Sequence, residues 1–135
     1  MGRPFPPGVA ALRDRVAAAD VLLLVTPELN RGIPGNMKDV VDWLGILAPP
    51  RPLAGKRVVL MSASPNRFGG AFAQVQLADL LRRSGAEILS DLDVAVGYAH
   101  RHVDDHGVLV GADPRREISE RVLARVESDR QVVPV

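Results

Sequence analysis

Apolar and polar residues follow one another along the chain in blocks that predict strands and helices in turn. The apolar runs at 21–25 and 58–61 are typical of strands that are buried on both faces of a parallel sheet. A short strand at 86–89 and an extended segment through Val94 and Val96 come later. Because helical patterns separate these segments, the sequence predicts right-handed βαβ units and an α/β fold class with a parallel sheet.

Four amphipathic helices are predicted around these strands. The first covers about 8–19, with Leu12 and Val16 on its buried face and Arg13 pointing mostly to solvent. Asn36 is expected to cap the second helix, whose apolar positions recur at the spacing of a buried helical face. The remaining predicted helices run over 71–84 and from an N-cap at Asp113, with Pro114 at the first helical position.

Composition bounds the class of protein. A chain of 135 residues with 47% apolar residues is expected to form a single globular domain over 1–135. A formal net charge of +1 gives no sign of a nucleic-acid or membrane partner. The absence of cysteine excludes disulfides, thiolate catalysis and cysteine-bound metals. With no visible signal peptide or apolar run long enough to span a membrane, the expected location is the cytoplasm.

The loop after the first strand is the first candidate site, because ligands of open α/β sheets collect at the carboxyl ends of strands. Pro27 and Pro34 stiffen this loop, and Gly32 and Gly35 allow a flat ligand to approach the backbone closely. Asn30 tolerates left-handed geometry. Loop amides that are not used internally can face such a ligand; the alternative is a rigid strand-to-helix connection without one.

An ordered pattern runs through this loop and the helix after it: Thr26, Pro27, Glu28, Asn30, Ile33, Pro34, Gly35, Lys38, Asp42 and Trp43. The pattern resembles the NAD(P)H-dependent FMN reductases of the flavodoxin-like superfamily. Leu29 stands where that family usually has Tyr, and Asp39 where it often has Asn. The resemblance continues more weakly through Gly107 and implies a flavodoxin-like three-layer fold.

A second loop follows the strand at 58–61 and is expected beside the first. Ser62 and Ser64 offer hydroxyls, while Gly69 and Gly70 present amides at a helix start, where the dipole favours an electron-rich group. In the family the matching loop lies against the flavin ring, so Gly70→Val is expected to block the ring and leave the fold mostly intact. An ordinary turn before a helix is the alternative, and Phe72 stands where the family often has Arg.

The resemblance implies an enzyme that passes hydride from NAD(P)H to FMN and on to a small-molecule acceptor: a quinone, an azo compound, a metal oxyanion or free flavin. No catalytic side chain and no metal are implied, because the chemistry belongs to the cofactor. The implied cofactor-binding residues are Pro27, Glu28, Leu29, Asn30, Ser62, Ser64, Pro65, Gly69 and Gly70.

One part of the family pattern has no counterpart. The family begins with a strand and a Gly-Ser-x-Arg-x-x-Ser-x-Asn loop that holds the FMN phosphate, and nothing in 1–7 resembles it. The fold is therefore expected to be N-terminally shortened, without the first two family strands. One edge of the strand at 21–25 would then lack an intrachain partner, which predicts a homo-oligomer or an aggregation-prone chain. The alternative function is a non-catalytic member that has lost FMN and serves as a structural or regulatory subunit.

Three other sets of polar residues could carry chemistry. His100, His102 and His106, with nearby aspartates, suggest a metal site, although surface polar residues around a turn are the better interpretation. A Ser–His–acid triad is conceivable from Ser62 or Ser64, but no nucleophile elbow is present. A functional carboxylate at Glu28 and a simple cap for neighbouring amides are equally good interpretations.

Overall fold

The computed structural model describes residues 4–124 and 126–127. Helices and strands alternate through most of this range, in agreement with the α/β prediction. Their bounds are α1 (Pro7–Ala18), β1 (Val21–Pro27), α2 (Gly35–Gly45), β2 (Arg57–Ala63), α3 (Ala71–Arg83), β3 (Glu87–Ile88), β4 (Val94–Val96) and α4 (Ala112–Glu117), which continues as a π-helical turn over Ile118–Leu123. None of the helices within the described ranges is both long and apolar enough to cross a membrane.

The central strand of the sheet is β2. It pairs in parallel with β1 along its whole length, from Val21 opposite Arg57 to Pro27 opposite Ala63. Its other edge pairs first with β3 and then with β4, also in parallel. The parallel sheet predicted from the apolar runs is therefore confirmed.

The sheet is covered on both faces, which gives three layers. One face packs against α1, α2 and α3. Its buried cluster is Val16, Val41, Leu44, Leu53, Val58, Leu60, Leu77, Ala78, Leu81 and Ala86. On the opposite face, Val59 and Met61 of β2 pack with Val122 of the C-terminal helix. This arrangement confirms the predicted flavodoxin-like architecture.

Asp93 fills a gap between β3 and β4. Leu60 lies between the part of β2 that pairs with β3 and the part that pairs with β4, and its N–H donates to Asp93 Oδ1 at 3.3 Å. Burial of this carboxyl group raises the pKa of Asp93, and the hydrogen bond from Leu60 and the charge of Arg82 oppose that rise. The Asp93 carboxylate thus accepts the hydrogen bond from Leu60 N–H that a neighbouring strand would otherwise accept. In this position the carboxylate is partly desolvated.

The cover over β1 is incomplete. Leu23 is 41% exposed and Val25 is 57% exposed, so the prediction that this strand is buried on both faces is wrong within the described residues. The C-terminal helix covers Val21 and the central strand but leaves these two side chains open. Among the described residues, no strand pairs with the outer edge of β1.

Two predicted helix caps are wrong. Pro34 is the N-cap residue of α2, and Asn36 is the second residue of the helix. Gly111 caps α4, so Asp113 lies inside the first turn, where its carboxylate pairs with Arg116 at 2.7 Å. In both cases the N-cap is a residue with extended backbone. It lies upstream of the polar side chain that the sequence predicts as the cap.

Arg13 points inward, which corrects the prediction that it faces solvent. Its side chain is 1% exposed, and its guanidinium donates to carbonyls at the end of α2 and in the segment that follows. These include Ile46 O at 3.1 Å, Ala48 O at 2.6 Å and Pro50 O at 2.5 Å. Because the last carbonyls of a helix lack intrahelical donors, a buried cation satisfies them and complements the helix dipole.

We predict that Asp93→Asn changes the pH dependence of stability. A raised folded-state pKa means that the folded protein binds the Asp93 proton more tightly than the unfolded chain does. The contribution of this group is fully present when it is protonated and is lost as the pH rises from about 4 through the raised pKa. An amide oxygen still accepts from Leu60 N–H and does not ionise. Urea unfolding between about pH 4 and pH 7 is expected to show that the free energy of unfolding of the variant rises relative to that of the parent as the pH rises. A difference in unfolding free energy that does not change with pH contradicts the assignment.

A second prediction concerns the open edge and face of β1. Val25→Lys is expected to reduce self-association of the chain, because a charged side chain on an edge strand opposes pairing between copies. Val75→Lys is the matched control, since Val75 is 71% exposed but lies on α3, away from the edge. Light scattering across a concentration series measures the effect. A soluble monomer whose amides at 21–25 all exchange slowly would contradict the open edge.

Candidate functional site

Two loops lie side by side at the carboxyl end of the sheet. The strands β1 and β2 end together, with Pro27 opposite Ala63. The loop at 28–34 therefore begins beside the loop at 64–70, as the sequence predicts. This edge of a parallel sheet is where open α/β folds bind ligands.

The first loop contains a tight turn. Leu29 N donates to Gly32 O at 3.0 Å, and Gly32 N donates to Leu29 O at 2.9 Å. Asn30 and Arg31 occupy the centre with φ of 49° and 61°, the left-handed geometry of a type I′ turn. Ile33 N donates to the side chain of Gln76 on α3 at 2.8 Å, which anchors the loop.

This turn presents ligand-binding groups outward. Leu29 is 57% exposed, and Pro27 and Asn30 are also exposed. Among the hydrogen bonds formed by the described residues, none uses the backbone amides of Asn30 and Arg31. The exposed turn thus has the apolar surface and the unused donors that suit the edge of a flat, heteroaromatic ring.

Glu28 joins the two loops. Its Oε2 accepts from Phe72 N at 3.1 Å and Ala73 N at 3.3 Å, and its Oε1 accepts from Asn66 Nδ2 at 3.3 Å. The carboxylate therefore caps the first turn of α3, as the second of the two interpretations of Glu28 predicts. Because Glu28 uses these amides, they are not available to a ligand.

Ser62 lies beneath the second loop. It is 2% exposed, its hydroxyl donates to Gly69 O at 2.6 Å, and it accepts from Gln74 Nε2 at 2.7 Å. Gln74 also donates to Val94 O at 2.8 Å, so the network joins β2, α3 and β4. Sequence reasoning missed Gln74; the available signal was a polar side chain three residues before buried Leu77 on the core face of a helix.

Ser64 anchors the second loop to the end of the sheet. It is 5% exposed; its N–H donates to Val96 O at 3.1 Å, and its carbonyl accepts from Ala99 N at 3.0 Å. Pro65, the next residue, is exposed. The structure therefore brings the nine predicted site residues together, but buries the two serine side chains.

Gly69 and Gly70 are buried with φ of 61° and 87°. A Cβ atom at Gly69 would lie 2.6 Å from the carbonyl carbons of Ala95 and Val96. One at Gly70 would lie 2.8 Å from Ser62 Cβ. These glycines are required by close approach of the loop to β4 and β2, so the expectation that Gly70→Val leaves the fold mostly intact is wrong.

Three exposed aromatic rings border the two loops. Sequence reasoning missed two of them, Phe68 and Tyr98. Phe68 and Phe72 form an edge-to-face pair with centroids 5.6 Å apart. Tyr98 joins them through the backbone, because its N–H donates to Asn66 O at 2.9 Å. All three rings are more than 40% exposed, with values of 46%, 44% and 42%.

The histidine cluster gives no metal site within the described ranges. No three His, Cys, Asp or Glu side chains there are placed to hold a metal ion. Asp104, one of the aspartates considered for this role, accepts from His106 N and Val108 N, each at 2.9 Å. These contacts are typical of a turn.

We predict that Gly70→Ala destabilises the fold more than Gly107→Ala does. Both glycines have positive φ, so each alanine is expected to cost about 1–2 kcal/mol of unfolding free energy for its backbone geometry. A methyl group added at Gly107 would have no atom within 4 Å, whereas one added at Gly70 meets Ser62, which adds about 1–3 kcal/mol. Urea unfolding measures both; equal losses contradict the packing role.

Comparisons with known proteins agree with this geometry. The sequence profile described as NADPH-dependent FMN reductase matches residues 2–101. An NAD(P)H-dependent FMN reductase of Pseudomonas aeruginosa is 34% identical over 120 residues, which are 89% of this chain and 64% of that protein. A quinone reductase of Escherichia coli is 37% identical over 100 residues, which are 74% of this chain and 53% of that protein.

A solved structure extends the likeness to the fold. The flavoenzyme NAD(P)H:(acceptor) oxidoreductase of Paracoccus denitrificans superposes with a TM-score of 0.79 at 26% identity, over 93% of this chain and 69% of that one. The chain spans only 64% and 53% of the two curated relatives described above. With a family profile over residues 2–101 and the matching parallel sheet and loops, the chain belongs to the NADPH-dependent FMN reductase family.

Proposed function

We propose that this chain forms the ring-binding part of a flavin-dependent NAD(P)H oxidoreductase. The observation that carries the proposal is the contact between the two loops at the carboxyl end of the sheet, where Glu28 bonds to Asn66 and to the start of α3. This contact holds the exposed turn rigid next to the second loop. A cofactor enzyme needs a rigid binding surface of this kind, because the protein positions the reacting atoms and the cofactor carries the redox chemistry.

The described residues fit a flavin ring. Pro27, Leu29 and the amide of Asn30 would lie along its pyrimidine side, and Pro65 would meet it from the second loop. The other predicted residues, Glu28, Ser62, Ser64, Gly69 and Gly70, would hold these two loops in place. FMN held by these residues would supply the redox chemistry, with hydride coming from NAD(P)H and the electrons going on to the acceptor.

A small planar acceptor suits the exposed turn of the first loop. Quinones, azo compounds and free flavins are flat and apolar enough to lie against the exposed turn at Leu29, and a metal oxyanion is the smaller alternative. The names of relatives support a quinone: a quinone reductase of Escherichia coli and a 2-hydroxy-1,4-benzoquinone reductase of Burkholderia both match this chain.

We also propose a homo-oligomer in the cytoplasm. The edge of β1, which pairs with no other strand in the described part of the chain, and the exposed Leu23 and Val25 are the support for association with another copy. Consumption of NAD(P)H, a reductant of the cytoplasm, supports that location.

Flavin titration tests the proposed function. The purified chain is expected to quench the fluorescence of FMN and of riboflavin with dissociation constants less than about tenfold apart, because the ring-binding loops are described and no counterpart of the family's phosphate loop is found among residues 4–124 and 126–127. Addition of NADPH is expected to bleach the bound flavin. A colourless protein that binds neither compound would favour the non-catalytic alternative.

Leu29→Tyr provides a position-specific prediction. Leu29 is 57% exposed, so the larger ring has room, and the substitution is expected to leave both stability and flavin affinity at least at the parental level. The same fluorescence titration measures the affinity. A folded variant that loses flavin would show that Leu29 does not occupy the position of the family's Tyr.

A further inference from the structure

Arginine side chains lie over the rings that border the two loops. Arg31 Cζ lies 5.8 Å from the centroid of Phe72, and Arg67 Cζ lies 4.5 Å from the centroid of Phe68. Because the two Phe rings are themselves 5.6 Å apart, one continuous surface runs from the first loop to the second. A guanidinium group flanks the ring pair on each side.

A third pair continues this surface. Arg101 Cζ lies 4.6 Å from the centroid of Tyr98. The backbone of Tyr98 bonds to Asn66, the neighbour of Arg67, so the third pair follows directly on the second loop. We call the six residues Arg31, Arg67, Phe68, Phe72, Tyr98 and Arg101 the arginine–aromatic rim.

The positive charge of the rim is not neutralised by side chains in the described part of the chain. None of its three arginines forms an ion pair there; the pairs found are Lys38–Asp42, Arg83–Asp79, Arg116–Asp113 and Arg121–Glu117. The loop carboxylate Glu28 is engaged with amides of α3, and Asp104 with amides of its own turn. Three exposed cations thus surround the loops without an ion-pair partner among the described side chains.

Stacking prepares these cations for a phosphate. A guanidinium group that lies on an aromatic face stays charged, is weakly hydrated and keeps its planar fork of donors oriented. That fork matches two oxygens of a phosphate group. The ring surfaces between the forks offer stacking area for a heteroaromatic base.

We propose that the arginine–aromatic rim binds the adenosine half of the dinucleotide reductant, with Arg31 and Arg67 reading the 2′-phosphate that distinguishes NADPH from NADH. This inference rests on the proposed function and adds a nucleotide subsite to it. Three separated cations match the three phosphate groups of NADPH, namely the two of its pyrophosphate and the 2′-phosphate, and the rings between them match its adenine base. A quinone acceptor is a single ring without phosphate and would leave most of the rim unused.

The experiment compares the parent with the double variant Arg31→Gln/Arg67→Gln. Glutamine keeps much of each side chain over its ring but removes the charge. Arg15→Gln is the control, because Arg15 is an exposed arginine in the last turn of α1, close to the opposite end of β1. Calorimetry measures the affinity for 2′,5′-ADP and for 5′-AMP, and steady-state kinetics measure kcat/KM with NADPH and with NADH.

The parent is expected to bind 2′,5′-ADP more tightly than 5′-AMP. In the double variant the affinity for 2′,5′-ADP, and the ratio of kcat/KM for NADPH to that for NADH, are each expected to fall about tenfold to a hundredfold. Arg15→Gln is expected to leave both unchanged. Added salt is expected to weaken the parent's binding of 2′,5′-ADP, because the phosphate site is exposed.

The outcomes separate this subsite from the flavin proposal. Equal affinity of the parent for 2′,5′-ADP and 5′-AMP, or an unchanged ratio in the double variant, overturns the subsite even if bound flavin is reduced normally. Arginine-dependent binding of 2′,5′-ADP by a chain that takes up no flavin supports the subsite and rejects the flavin proposal. Calorimetry does not require turnover, so either result is readable.

Discussion

The pairing of β1 with β2 is the constraint on which the rest of the structure depends. Their parallel register runs from Val21 and Arg57 to Pro27 and Ala63, so both strands end at the same level. The loops that follow must then leave the sheet next to each other. Glu28 reaches α3, and the exposed turn comes to lie beside the second loop, only because this register brings them together.

Three residues that the sequence predicts to bind the cofactor support the candidate site from beneath: Ser62, Gly69 and Gly70. The Ser62 hydroxyl is satisfied by Gly69 and Gln74, and the two adjacent glycines allow the loop backbone to touch β2 and β4. A buried polar network of this kind is costly if any member is removed, because its partners are left unpaired. Loss of activity on mutation of these residues would therefore report on loop geometry as much as on ligand contact.

The two faces of the sheet differ in how far the described residues cover β1. Three helices cover one face of the sheet, whereas on the other face, within residues 4–124 and 126–127, Leu23 and Val25 are open beside a strand edge with no partner strand. Apolar side chains and unpaired backbone groups on one strand together favour association with further polypeptide.

The sequence by itself determined the order of elements, the parallel sheet and the location of the candidate site. Those features follow from local patterns: apolar runs, helical periodicity, and proline and glycine between them. Only the tertiary structure decided what Arg13, Glu28 and Gln74 do. Their partners lie far along the chain, 30 residues from Arg13 to Trp43 and 44 from Glu28 to Phe72, and local periodicity carries no information about such pairs. Burial of a polar side chain is favourable only where distant groups complete its hydrogen bonds, so its direction is settled when the sheet and helices pack together.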